Sequence, residues 1–534
     1  MLAFWVEIEN TVGMAIGKAE RQVRFEDPAG LLGDRLSGVY RLLADHGGEL
    51  FGDDYFADLF KPSAKGRPTI AARVMATVML LQSHEGLSDQ EAVDRLGCDL
   101  RWEAAAGVHI GFESFDPTTL VGMRNRLRAS ARPKRLLEDV VAVARESAVM
   151  GDRVRVVDST PIWDAVATQD TVTQLRSAIR KVLRVLRAEL KIAVRAVLER
   201  DDDYATPGKP PCDWDDAAAR EELVDGLVRD ALAALGALEG VELKPAEQDA
   251  VDVLAVVAGQ DVEVGEDGRF RIFDGVAPDR LISTVDPEVR HGHKSRNRRF
   301  DGYKGHISID PDSEIIEDVT VTPANVHDQD ALSGLLEPLA DNDDKPVVFG
   351  DCAYGSGQTR QDMVDAGFEL RAKVPPAVRR EGRYSKDDFT IDLAAGTVCC
   401  PAGNTAAIGF SRKGDGSGTA QFKDLCGPCP QRDRCTTSPA GRVVNIHPHE
   451  HLLQDAKAAQ ADPAWQAEQR ATRPKVERKI AHLMFRQHGG RKARSRGAVR
   501  VLTDLVARAA AVNLARLATL DVTHVDGAWQ RAGP

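Results

Sequence analysis

Two short, nearly unbroken apolar runs limit this chain most: Val154-Arg-Val-Val157, closed by Asp158, and Val347-Val-Phe349, closed by Gly350 and Asp351. Runs of that length, β-branched and without alternation, are expected of strands buried on both faces of an α/β sheet. Such sheets place ligands in the crevice beyond the carboxyl ends of their strands, so an aspartate ending each strand projects into it. The bland alternative is that each aspartate only caps a turn or helix. A third acidic residue, Glu477, lies in the helical run RPKVERKIAHL. Hard oxygen ligands from separate elements suit Mg²⁺ or Mn²⁺. Two such ions about 3.5–4 Å apart activate a water or 3′-hydroxyl and stabilise the leaving oxygen of a phosphoryl displacement. Asp158, Asp351 and Glu477 are therefore the candidate catalytic, metal-binding residues.

With 534 residues the chain exceeds one ordinary domain, and two or three are expected. The start, MLAFWVEIENTVGMAIG, is apolar enough for a signal peptide, but Glu7 and Glu9 interrupt it and no basic segment precedes it. No later apolar run approaches the ~20 residues that span a bilayer, so a cytoplasmic protein with no membrane partner is expected. The net charge of −12 speaks against a nucleic-acid partner, while its distribution speaks for one. Acidic residues gather between about 200 and 265. Arg124, Arg126 and Arg128 open one basic cluster; Arg290, Lys294, Arg296 and Lys304 mark a second; Arg486, Arg491, Lys492, Arg494 and Arg496 follow Glu477. A single basic run is ordinarily a solvated face. Because phosphate contacts are local, and two of these runs border the candidate site, double-stranded DNA is the expected partner.

The chain reads as helical to about residue 145. A helix over Ile70–Leu81 is broken by Gly86-Leu87, and Ser88 with Glu91 forms a capping box for the next helix, ending near Gly97. This pair resembles a helix-turn-helix, a spacing that plain bundles also use. After the strand at 154–158, an amphipathic stretch follows, then helices over Ala217–Leu238 and about 248–257. FDGYKGHISID and EIIEDVTVTPAN, joined at Asp310-Pro-Asp-Ser313, read as a β-hairpin. A helix from Val326 to Leu339 precedes the second acidic strand. That order is the order of an α/β, ribonuclease H-like mixed sheet. The expected organisation is an extension (1–45), a helical DNA-binding domain (46–145), a catalytic domain (146–520) and a tail (521–534). The catalytic domain carries a helical insert (165–260) and a small Cys-rich, zinc-ribbon-like insert (380–440).

Five of the eight cysteines fall between 399 and 435. Cys426-x-x-Cys429, with Cys435 after it and Cys400 before it, suits a tetrahedral structural Zn²⁺; Cys399 is an alternative to Cys400. Disulfides are the rival, disfavoured in a reducing cytosol.

LFKPSAKGRPTIAARVMATVMLLQSHEGLSDQEAVDRLGCDLRWEAAAGV is similar to the amino-terminal domain of bacterial insertion-sequence DDE transposases. DSTPIWDAVATQDTVTQL, FDGYKGHISID, TPANVHDQDAL, GDCAYGS, CGPCPQRDRC and RPKVERKIAHLMFRQHGGRKARSRG resemble successive blocks of the 1182-type group, over roughly residues 50–520. The resemblance implies a transposase that binds the terminal inverted repeats of its element, cleaves there and joins the 3′ ends to target DNA, as a homo-oligomer on paired ends. It makes Asp158, Asp351 and Glu477 the DDE triad, with Asp158 bridging two ions. It makes Arg473 the phosphate-holding arginine of the Tyr-Arg-Glu-Lys signature. Where that signature has Tyr and Lys this chain has Arg470 and Met484, and Lys479 or Arg486 are the substitutes. His327 and Asp328 lie in a matching block, where a helix-capping role and a catalytic one both remain open. The alternatives are a nuclease of the same sheet that does not join strands, and an inactive remnant that only binds DNA.

Overall fold

The computed structural model describes residues 27–61, 69–295, 297–342 and 344–532. The apolar start, most of the LFKPSAKGRP segment and Arg296 therefore lie outside the described residues. The amino-terminal region is helical: α1 (Pro28–Leu32), α2 (Gly38–Leu50), α3 (Ala72–Glu85), α4 (Asp89–Leu96), α5 (Leu100–Ala106), α6 (Thr118–Arg128) and α7 (Arg135–Glu146). α3 is rich in Ala, Met and Leu, and every side chain from Ala72 to Ser83 is buried, as in a helix with neighbours all round. It ends at Gly86, whose left-handed backbone (φ 67°) donates to the Gln82 carbonyl. A Cβ there would meet the Gln487 carbonyl oxygen at 2.5 Å, so only glycine permits this approach. The Ser88/Glu91 capping box closes on both sides, at 3.2 and 2.7 Å. The outer face of α4 carries exposed Gln90, Glu91, Asp94 and Arg95, and Arg95 is paired with Asp99 at 3.3 Å. That face carries two acidic side chains and one paired arginine.

β1 runs Val154–Trp163, well beyond the expected 154–158, and this corrects one expectation: Asp158 stands within the strand. The insert follows, comprising α8 (Thr171–Val185), α9 (Ala188–Val197), α10 (Ala217–Gly236), α11 (Pro245–Gln260) and the small hairpin of β2 (Val262–Val264) and β3 (Phe270–Ile272). It closes its own core around Leu175, Ile179, Leu227 and Leu254. The chain then adds β4 (Arg290–Ser295), β5 (Arg298–Ile309), β6 (Ile316–Pro323), the short α12 (Leu332–Leu336), β7 (Val347–Phe349), α13 (Gly357–Asp365) and β8 (Glu369–Arg371). The expected hairpin is β5–β6; at its turn Asp310 accepts from the Ser313 backbone at 2.9 Å. The sheet is mixed. β5 pairs antiparallel with β1, β4 and β6, whereas β1–β7 and β7–β8 are parallel.

The Cys-rich region forms an antiparallel sheet of β9 (Thr390–Asp392), β10 (Thr397–Cys399), β11 (Thr405–Phe410), β12 (Gly418–Gln421) and β13 (Val443–Ile446). Three helices follow: α14 (Glu450–Ala461), α15 (Pro463–Leu483) and α16 (Ala498–Thr519). The expected tail instead ends in a hairpin, β14 (Val522–Val525) with β15 (Ala528–Arg531); the Trp529 backbone N–H donates to Glu146 at 2.9 Å. One continuous core joins the amino-terminal helices, the sheet, α15 and α16. Within it, the wholly buried Asn513 of α16 accepts from the Ile316 N–H at 2.8 Å and donates to the Ile316 carbonyl at 2.7 Å. Asn513→Ala leaves both backbone groups unpaired, at roughly 1–3 kcal/mol each, so a loss of about 3 kcal/mol is expected. The urea unfolding midpoint checks it, and an unchanged midpoint contradicts this account of the contact.

Candidate active site

The β1–β7 register is Val154 with Val347, Arg155 with Val348 and Val156 with Phe349. Asp158 and Asp351 each lie two residues past the last paired rung, at the carboxyl end of β7, where the charge of Asp351 acts on Asp158. Side chains alternate along a strand. Val156 joins the core shared with Val476 and Ile480 of α15, so Asp158 faces α15. Val157 joins a separate core with Leu332 and Leu335, so Ser159 faces α12.

α15 starts at Pro463 behind the Asp462 cap, and it brings Arg473 and Glu477, one turn apart, over β1. The Arg473 guanidinium donates to Asp158 Oδ2 at 3.2 Å and reaches Glu477 Oε1 at 3.5 Å. Its Nη1 is buried without a hydrogen-bond partner. Asp351 Oδ1 accepts from the Ala353 N–H at 2.8 Å, so the capping role does occur and occupies one of its two oxygens. Glu477 keeps 65% of its side chain exposed. Burial pushes the Asp158 carboxyl up to about 6; Arg473 and the Ser159 N–H oppose the rise, and the charges of Asp351 and Glu477 add to it. Three carboxylates thus share one field, with one guanidinium between two of them.

The donor set is one of hard oxygens carrying more negative charge than Arg473 neutralises, which fits a divalent cation. Among the described residues, no three His, Cys, Asp or Glu side chains stand close enough together to hold an ion as they are. Arg473, lying between Asp158 and Glu477, is a physical reason for that spacing.

Several neighbours acquire their partners only in the fold. Asp328 accepts from Lys304 Nζ and from Ser159 Oγ, each at 2.7 Å. Tyr354, packed over Gly350, is wholly buried with its hydroxyl unpartnered, in the field of Asp328, Asp158 and Asp351. His306 is buried, bonds Thr322 at 2.8 Å, and is pushed down to about 4 by desolvation.

The expected DNA ligands divide. Lys304 is engaged inside, and Lys479 keeps only 3% of its side chain exposed, 3.9 Å from Glu314, with burial pushing its ammonium down to about 8. Neither presents a free ammonium to DNA. Arg124 pairs with Asp89 at 2.5 Å, Arg126 donates to the Leu59 carbonyl, and Arg290 pairs with Asp279 at 2.7 Å. Arg128 bonds Asn125 and feels the charges of Arg500 and Arg124, so α6 and the start of α16 share one basic patch. Lys294 and Arg486 are exposed. The run after Glu477 returns to β1: the Trp163 N–H donates to the Arg491 carbonyl at 2.9 Å, the Ala493 N–H donates to the Trp163 carbonyl at 2.7 Å, and the Arg491 side chain donates to Thr160.

Cys400, Cys426, Cys429 and Cys435 line one cavity of about 20 Å³, room for little more than a single water or ion. Burial pushes the Cys435 thiol up; Arg442 opposes this, and Cys426, Cys400 and Cys429 add to it. All eight cysteines are free, and Cys399, the last residue of β10, does not line this cavity.

Among the described residues, no helix is long and apolar enough to cross a membrane. Residues 40–126 match the family described as transposase domain (DUF772), and residues 399–518 match the transposase DDE domain. The second match spans the cysteine cluster, Arg473 and Glu477, whereas Asp158 and Asp351 lie before it. No curated protein and no solved structure matched the chain. The chain thus carries a transposase domain near its start and a transposase DDE domain near its end, and the two matches support an insertion-sequence DDE transposase.

Proposed function

We propose that this transposase binds the terminal inverted repeats of its own element, cleaves DNA there and joins the freed 3′ ends to target DNA. The observation that carries the reading is the convergence of Asp158 and Asp351, just beyond the last β1–β7 rung, with Glu477 and Arg473 from α15. The strand order β6-β5-β1-β7-β8, antiparallel and then parallel, supports a ribonuclease H-like catalytic domain.

Asp158, Asp351 and Glu477 are the residues to hold Mg²⁺ or Mn²⁺, which when bound supplies an activated attacking oxygen and stabilises the leaving one. The protein's own groups then position and neutralise. Arg473, held between Asp158 and Glu477, is the guanidinium to meet a phosphate oxygen of the cleaved strand. Arg491 and Lys492, fixed against the end of β1, and Arg486 beyond α15 line the approach. The patch of Arg128 and Arg500 extends it along the duplex. Two protomers on paired ends complete the assembly.

Cys400, Cys426, Cys429 and Cys435 line one cavity and are the residues that would hold one structural Zn²⁺, on drawing closer together than they now stand. Such an ion would supply a crosslink to the small sheet β9–β13, whose core is slight.

Two outcomes follow. With labelled duplexes from both ends of the element and Mg²⁺ or Mn²⁺, cleavage at a discrete end and a joined product are expected, both lost in Asp351→Asn while duplex binding persists. Cleavage without joining indicates a nuclease, and binding alone indicates a remnant. Elemental analysis is expected to find one zinc per chain, lost together with thermal stability in Cys426→Ser; zinc-free, stable wild-type protein contradicts the cysteine assignment.

A further inference from the structure

The groups left unused by this chemistry include one charged cluster on the opposite face of β1. Beyond Val156 the strand has no β7 partner and is held in the sheet from the β5 side only, at the point where it carries Asp158. Ser159, on the α12 face, is tethered there by Asp328 at 2.7 Å, and its backbone N–H donates to Asp158 Oδ1 at 2.8 Å. Asp328 is itself pinned by Lys304, which also donates to the Val326 carbonyl at 2.7 Å. Only 14% of the Lys304 side chain and 17% of that of Asp328 are exposed, so the pair is enclosed. A fourth carboxylate near three others would draw a cation to itself if it were unpaired; the Lys304 ammonium cancels that charge.

The geometry points to Asp328, fixed by Lys304, as a positioning residue for the reaction: it anchors Ser159 and thereby sets the orientation of Asp158 from the far side of the sheet. The inference rests on the reading of Asp158 as a metal ligand, and it replaces a phosphate-binding role for Lys304. Groups that orient a ligand without touching the metal commonly govern affinity or activity by about 10–100-fold.

The test compares wild type with Ser159→Ala, Ser159→Thr, Lys304→Gln and Asp158→Asn by calorimetric Mn²⁺ titration, duplex binding at several salt concentrations, and cleavage. Ser159→Ala is expected to weaken Mn²⁺ binding about tenfold and to lower the cleavage rate with duplex affinity unchanged. Ser159→Thr, which keeps the hydroxyl, is expected to restore both. Lys304→Gln is expected to behave as Ser159→Ala does, and it serves as the second probe if that variant fails to fold. Unchanged Mn²⁺ affinity in Ser159→Ala overturns this inference alone. So does a Lys304→Gln variant whose main defect is weaker duplex binding with a shallower salt dependence. Wild type that binds Mn²⁺ no better than Asp158→Asn overturns the metal-site reading and this inference together.

Discussion

Three rungs of parallel pairing between β1 and β7 set the geometry on which the site depends. Because side chains alternate along strands, a slip of one residue would turn Asp158 away from α15 and drive Val157 out of the α12 core. The hydrophobic contacts on both faces enforce the register, so two carboxylates with every electrostatic reason to separate are held together by apolar packing. The pairing ends at Val156, and what happens to β1 afterwards explains much of the neighbouring chemistry. β5 continues on one side, segment 491–493 meets the strand at Trp163, and Asp328 tethers Ser159 from below.

α16 gives the site its backing. It runs through the shared core and ties the hairpin β5–β6 to the amino-terminal helices, with Asn513 bonding both backbone groups of Ile316. Its first turn also brings Arg500 to Arg128, so one buried helix fixes a basic patch as well as a hydrophobic interior. The rims follow the same economy: Gly86 admits the loop at Gln487, and Arg494 donates to the Leu87 carbonyl across that junction.

Much of this was legible from local patterns. The apolar runs ending in Asp158 and Asp351, the β5–β6 turn and the Ser88/Glu91 box are short-range features, and each formed close to its expected position. The extent of β1 was not, because Pro161 argues against a strand; the structure tolerates it where β7 no longer needs a donor. Lys304 and Lys479 read as surface cations in a one-dimensional charge count, and only the fold supplies Asp328 and Glu314 as their partners. Tyr354 lies in the GDCAYGS block, but its burial beside the carboxylates arises from the turn after Asp351 and is not legible in the block itself. The closing hairpin did leave a mark that the reading as a tail passed over. Asp526-Gly527, both at positive φ, sits between the alternating residues of β14 and β15.

The helical insert has a consequence for how the chain reaches this fold. Asp158 lies opposite Ile307, and the segment between them is long enough to make their pairing a distant, entropically slow event for an unstructured loop. The insert closes around its own core of Leu175, Leu227 and Leu254. Once folded, it replaces most of that flexible span with a rigid body whose two ends emerge near each other, where the Gln169 N–H meets the Ile282 carbonyl at 2.9 Å. Early, independent folding of the insert would therefore deliver β5 to β1 and shorten the search that assembles the active centre.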